Sequence, residues 1–239
     1  PVLMTPKTTI LCLGHPVVYF LSGRVHQHFR AKYGRSLEQG PYVLKFEPNE
    51  VLGSDIIPVP DQFVGIGDAQ AAFRIASRLQ TLGRQTEMRI GNDVSFSELR
   101  LSPAVFIGAY SNQWTMKISN QFRFVFDFRE ERKLVIDRSS PGRSWAPPFM
   151  VPTGKVSEDY AIVSRAFHAE SGQVMISAAG ITSYGTQAAG EFLADSRLFE
   201  QVLKFAPPHW QRMNLQVVLK TKIFGAAPAP PVVVAAYFW

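Results

Sequence analysis

The 239 residues carry a formal charge of +6 and are 46% hydrophobic, a balance that suits a packed globular core and excludes disorder over most of the chain. The single cysteine, Cys12, excludes an internal disulfide framework, and its apolar setting in "TTILCLG" predicts a buried thiol. No apolar run approaches the ~20 residues of a membrane-spanning helix.

"TTILCLG" reads as a strand ending at Gly14, and "HPVVYFLSGRVHQHFRAKYG" as an amphipathic helix begun by Pro16 and closed by Gly34. Residues 35–66 form a long connection rich in Gly, Pro and Asp, with one short strand at "YVLKF"; Pro58 and Pro60 rule out a regular helix there. "GDAQAAFRIASRLQTLG" reads as a helix capped by Asp68, with Ala72, Phe73, Ile75, Ala76, Leu79 and Leu82 on one face and Gly83 at its end. "TEMRIG" then gives a strand, "SFSELRL" a short helix with Ser95 and Glu98 at capping-box spacing, and "PAVFIGA" a buried strand.

"SNQWTMKISNQF" reads as a further helix, with Trp114 as its core anchor. "RFVFDF" and "KLVIDR" alternate in character around a charged turn, which predicts an exposed hairpin at a sheet edge. Its acidic and basic residues interleave, so no direct nucleic-acid contact is expected of this segment. Residues 139–158 are a second Pro- and Gly-rich connection. "DYAIVSRAF" and "QVMISAAG" are strands about the loop "HAESG"; the second runs through a turn into the helix "GTQAAGEFLA". "NLQVVLKTKIF" and "PVVVAAYFW" close the chain as two strands. The whole predicts one α/β domain over residues 1–239: a mixed, largely parallel sheet with helices on both faces, extended by antiparallel strands from the second half.

Four of these strands end in a turn of Gly and small polar residues: "LGHP", "IGNDVS", "IGAYSN" and "AAGITSYGT". In an open α/β sheet the carboxyl ends of parallel strands share one edge, where ligands of such folds bind. Helix N-termini at that edge offer unsatisfied N–H groups, and glycine admits a ligand close to the backbone. The candidate ligand-binding residues are therefore His15, Asn92, Asp93, Ser111, Asn112, Ser183, Tyr184 and Thr186. The same residue types also serve as ordinary helix caps, so each turn has a purely structural reading beside the functional one.

Catalytic and cofactor signatures are missing. The chain has neither a dinucleotide fingerprint nor a phosphate-binding loop, and no nucleophile elbow of the form G-x-S-x-G. His26 and His28 stand two residues apart, on different faces of a helix, and no metal site is expected. Asp159 and Glu191 would serve as acid or base only if the fold brought them together.

The segments "PVVYFLSGRV", "GDAQAAFRIASRL", "SFSELRLSPAVFIGAYSNQWT", "DYAIVSR", "AAGITSYGTQAAGEFL" and "NLQVVLKTKI" resemble the C-terminal domain of uncharacterised bacterial proteins, some of which begin with a winged helix-turn-helix domain and one transmembrane helix. The resemblance implies a sensory domain outside the cytoplasmic membrane, tethered through an N-terminal region that is not part of this sequence. The start "PVLMTPKTT" fits a piece of a longer polypeptide.

The leading expectation is a non-catalytic, small-molecule-binding or sensory domain of a regulatory protein, with a small polar or anionic ligand and no cofactor. One alternative is an assembly protein, homo-oligomeric, pairing through the strands that end in Tyr237, Phe238 and Trp239. Another is an enzyme acting on a phosphorylated or carbohydrate substrate through Asp93 or His15.

Overall fold

The structure, a computed structural model, describes residues 8–37, 46–60, 62–130, 132–148, 156–167 and 173–239, with the side chain of Asn92 outside the description. The chain opens with β1 (Thr9–Leu13), buried along its whole length. Its side chains alternate between two cores, Leu11 and Leu13 on one face and Ile10 and Cys12 on the other. Burial pushes the Cys12 thiol up to about 11, so it stays a neutral packing group.

The stretch expected to be one helix from Pro16 divides in two. Val18–Leu21 is β2, and α1 (Gly23–Tyr33) begins only after Ser22, whose hydroxyl accepts from the Val25 N–H. The helical periodicity loses to pairing, because β2 lies antiparallel to β3 (Ile56–Val59). Pro58 is tolerated there because a two-stranded ribbon has open edges. The strand expected at "YVLKF" lies outside the described residues but for Phe46.

Helix α2 (Ile66–Thr81) starts earlier than expected: Gly65 is the cap, and Asp68 sits inside the first turn with its side chain buried. Its core face also differs, since Ala71, Ala72, Ile75 and Leu79 are buried while Phe73 is 72% exposed. Next come β4 (Thr86–Ile90), α3 (Phe96–Leu101) with the expected Ser95–Glu98 capping box, and the buried β5 (Ala104–Ile107). Helix α4 (Gln113–Ser119) is capped by Asn112.

The expected hairpin forms as β6 (Phe124–Arg129) and β7 (Arg132–Asp137), but not at the edge of the main sheet. With β8 (Ser144–Trp145) it makes a separate three-stranded sheet. Phe124, Phe126 and Val135 share a core with Tyr160, Ile162 and Val218, so this small sheet lies across a face of the large one. Buried Gln216 fastens it, accepting from the Phe124 N–H and donating to the Phe124 carbonyl.

The remaining elements are β9 (Glu158–Phe167), β10 (Val174–Gly180), α5 (Ser183–Ala194), α6 (Ser196–Phe199), β11 (Leu215–Phe224), β12 (Ala227–Pro228) and β13 (Val232–Phe238). The main sheet runs β11-β9-β10-β5-β1-β4, with β12 and β13 both on the outer side of β11. Strands β4, β1, β5 and β10 are parallel, whereas β9, β11 and β13 extend the sheet antiparallel. The fold is α/β, as expected.

Helices α2 and α5 pack on one face through Ala71, Ile75, Ala189 and Phe192. Helix α3 covers the other face with Leu99, joined by Trp114 and Ile118 of α4. The C-terminal aromatics pack within the chain: Tyr237 stacks on Trp239, and Trp239 meets Phe122. Among the described residues no helix is long and apolar enough to cross a membrane.

The pairing of α2 with α5 depends on missing side chains. A Cβ on Gly190 would overlap the backbone of Ala71, and one on Gly67 would overlap the Ser183 carbonyl. Gly190→Ala is expected to cost about 2–4 kcal/mol in urea unfolding, since neither helix can retreat without opening the core. Gly23→Ala, in open space at the start of α1, is expected to be neutral or slightly stabilising.

Candidate functional site

Three of the four turns meet at one edge. Gly14 donates its N–H to the Ile107 carbonyl, His15 to Ser111, and Gly108 to Ala178, so the ends of β1, β5 and β10 are laced together. Gly14 has to be glycine, because a Cβ there would overlap Ser111. Outside these strand ends lies a cleft of about 470 Å³, lined among others by His15, Asp68, Tyr110, Ser111, Ser183 and Thr186.

The topology opens this cleft. The route from β1 leads through α2 to β4 on one side, while β5 and β10 lie on the other side of β1. Helix α2 covers one face and α4, which follows β5, the other. The connections leaving β1 and β5 therefore part, and the crevice between them is the switch point at which such sheets bind ligands.

Of the eight residues singled out in the sequence, His15, Ser111, Ser183 and Thr186 line the cleft. Asn112 is buried as a clamp: its amide donates to the Cys12 and Ile107 carbonyls, and its Oδ1 accepts from the N–H groups of Trp114 and Thr115. With both ends engaged, it has nothing to offer a ligand. Asp93 is exposed in the turn after β4, and neither it nor Tyr184 lines the cleft. Asn92 shares that turn, and its side chain is not described.

The α5 end of the cleft is built on Asp159, which is 0% exposed. One carboxylate oxygen accepts from the Thr182 N–H at 3.0 Å, the Thr182 hydroxyl at 2.6 Å and the Gly185 N–H at 2.6 Å; the other accepts from Tyr160 N–H at 2.8 Å. Gly185 allows this approach, since a Cβ would stand 2.7 Å from the carboxylate oxygen. Burial raises the Asp159 carboxyl above its ordinary value, against the pull of these donors. Glu191 lies elsewhere, around a shallow depression with Arg74, Arg78 and Arg197, so the two carboxylates do not meet.

Asp68 is the opposite case. It is 5% exposed and lines the cleft, and the Ser111 hydroxyl that donates to it stands 3.4 Å away. Thr186 also reaches it, but that hydroxyl accepts from the Gly180 N–H at 3.0 Å and lies 3.4 Å from the Thr182 carbonyl. Burial with so little compensation pushes the Asp68 carboxyl up to about 6.

Sequence reasoning also missed the wall opposite. Tyr110 donates its hydroxyl to the Asp127 carbonyl of β6, and the Lys133 ammonium of β7 lies 4.6 Å from the Tyr110 ring centre. Lys133 thereby joins the lining. Among the described residues no group of three His, Cys, Asp or Glu is arranged to hold a metal ion.

The two buried aspartates should respond oppositely to the same substitution. A carboxyl with a folded value near 6 and an ordinary value of 3.8 favours the fold below about pH 4, an advantage lost as pH rises through 6. Asp68→Asn is therefore expected to raise stability at pH 7.5 by about 1–3 kcal/mol, with the gain vanishing toward pH 4. Asp159→Asn is expected to lose about 2–4 kcal/mol at pH 7.5, because an amide nitrogen would face N–H donors. Urea unfolding across this pH range checks both signs.

Comparison with known protein families, with curated proteins and with solved structures found no match.

Proposed function

We propose that this chain is a small-molecule-binding domain of sensory type, with its ligand in the cleft outside the carboxyl ends of β1, β5 and β10. The observation that carries this is Asp68, a buried carboxyl at a switch-point crevice, held by few donors and unfavourable to the fold when ionised. Groups perturbed in this way concentrate at functional sites. Binding is favoured over catalysis because Ser111 and Asp68, the best nucleophile and base pair in the cleft, stand at the long limit of a hydrogen bond.

A sensor needs a ligand that favours one arrangement of separate parts. The cleft supplies such parts. Its lining comes from the β1–β2 connection, the first turns of α2 and α5, and the β6–β7 sheet. A ligand touching all of them would bias how the small sheet and the helix ends sit on the large one. The further proposal, that this domain reports to a DNA-binding region beyond a membrane, rests on the sequence resemblance alone.

The test is a thermal-shift screen of small polar metabolites against the purified chain and against Ser183→Phe, which fills the cleft. Compounds that raise the melting temperature of the wild type and not of Ser183→Phe are expected. Stabilisation retained in Ser183→Phe would place the ligand elsewhere.

A further inference from the structure

We infer that the ligand presents hydrogen-bond donors, either hydroxyls or an ammonium group, to Asp68, and that the cleft discriminates against anions. This deepens the binding reading above and rests on it.

A carboxylate can accept about four hydrogen bonds. Asp159 receives four from the protein, at 2.6–3.0 Å, and has a structural task. Asp68 is buried to nearly the same degree but receives only the 3.4 Å approach of Ser111 and a share of the Thr186 hydroxyl. Among the described residues no cation forms an ion pair with it. The first turn of α2 compensates part of the charge, which is why an acid is tolerated at that position. Acceptor capacity nevertheless remains, and it lies in the lining of a cleft rather than in sealed core.

An anion held at Asp68 would meet its carboxylate directly, since among the described residues no cation is paired with it, and Lys133 is set over Tyr110 on the opposite wall. A hydroxyl or ammonium group would supply the donors that Ser111 and Thr186 do not. The opposite wall carries Lys133 over Tyr110, where an acceptor on the same ligand would fit. Pro16, Val17 and Ile181 complete the lining with apolar surface. The class that matches is a compact molecule of mixed polarity, a polyol or an amino compound.

Calorimetric titration of the whole chain at pH 7.5 tests this with three probe sets: ribose, glucose and inositol; ethanolamine, putrescine and serine; inorganic phosphate and citrate. At least one probe from the first two sets is expected to bind, and phosphate and citrate are not. Asp68→Asn is expected to weaken an amine at least about tenfold, because a charge-assisted bond is lost, and to weaken a polyol less, because the amide oxygen still accepts. The variant's melting curve confirms that it folds. Binding of phosphate or citrate alone would overturn the donor inference and leave the cleft as the site. Binding unaffected by Asp68→Asn for every probe would overturn it as well. If nothing in the three sets bound, the binding reading itself would fall.

Discussion

The fold depends on how closely α5 approaches its neighbours. Gly180 and Gly185 let the start of the helix rest against the end of β10, while Gly67 and Gly190 let it lie against α2 almost backbone to backbone. Asp159 of β9 then holds the helix by its first N–H groups. Close approach and capping reinforce each other, because the carboxylate reaches Gly185 only where a side chain is missing. The result is a rigid corner that brings the first turns of α2 and α5 to the edge where β1, β5 and β10 end.

That corner fixes the character of the cleft. Helices α2 and α5 crossing at such short range set Asp68 beside Gly108 and Ser111, buried by its neighbours yet lining the cavity. Had the helices stood apart on larger side chains, the same aspartate would be a solvated first-turn acid. Perturbation of Asp68 thus follows from the packing of small residues on one face of the sheet. The opposite face contributes through a different route, as the small β6–β8 sheet presses Tyr110 and Lys133 toward the same opening.

Much of the fold was legible because it is written in short-range chemistry. The Ser95–Glu98 box and the short apolar runs of β1 and β5 announce themselves within a few residues, whereas Asn112, expected at a ligand, is a buried cap. The gathering of three of the four turns followed from the parallel order, and the turn after β4 stayed outside the cleft. Elements that depend on distant partners were less legible. Val18–Leu21 carries a helical pattern and becomes a strand only because Ile56–Val59 arrives beside it. Likewise, "RFVFDF" and "KLVIDR" declare a hairpin, but nothing in them states that Gln216 will fasten it across a face of the main sheet. Asp68 looked like a cap because its spacing from the helix suited one. Its burial is a property of α5, more than a hundred residues later.

Asp68 and Asp159 together separate what the structure needs from what it tolerates. Both are aspartates buried beside a helix start at one end of one sheet, and composition or spacing cannot tell them apart. Their donors can. Asp159 is surrounded by N–H and O–H groups that would be left unpaired without it, so its acceptor oxygens belong to the folded state even though burial raises its carboxyl. Asp68 serves few such groups, and ionising it works against folding near neutral pH. A group of that kind lowers stability in the empty protein and gains its partners when something enters the cleft, which is the balance expected where a site trades stability for recognition.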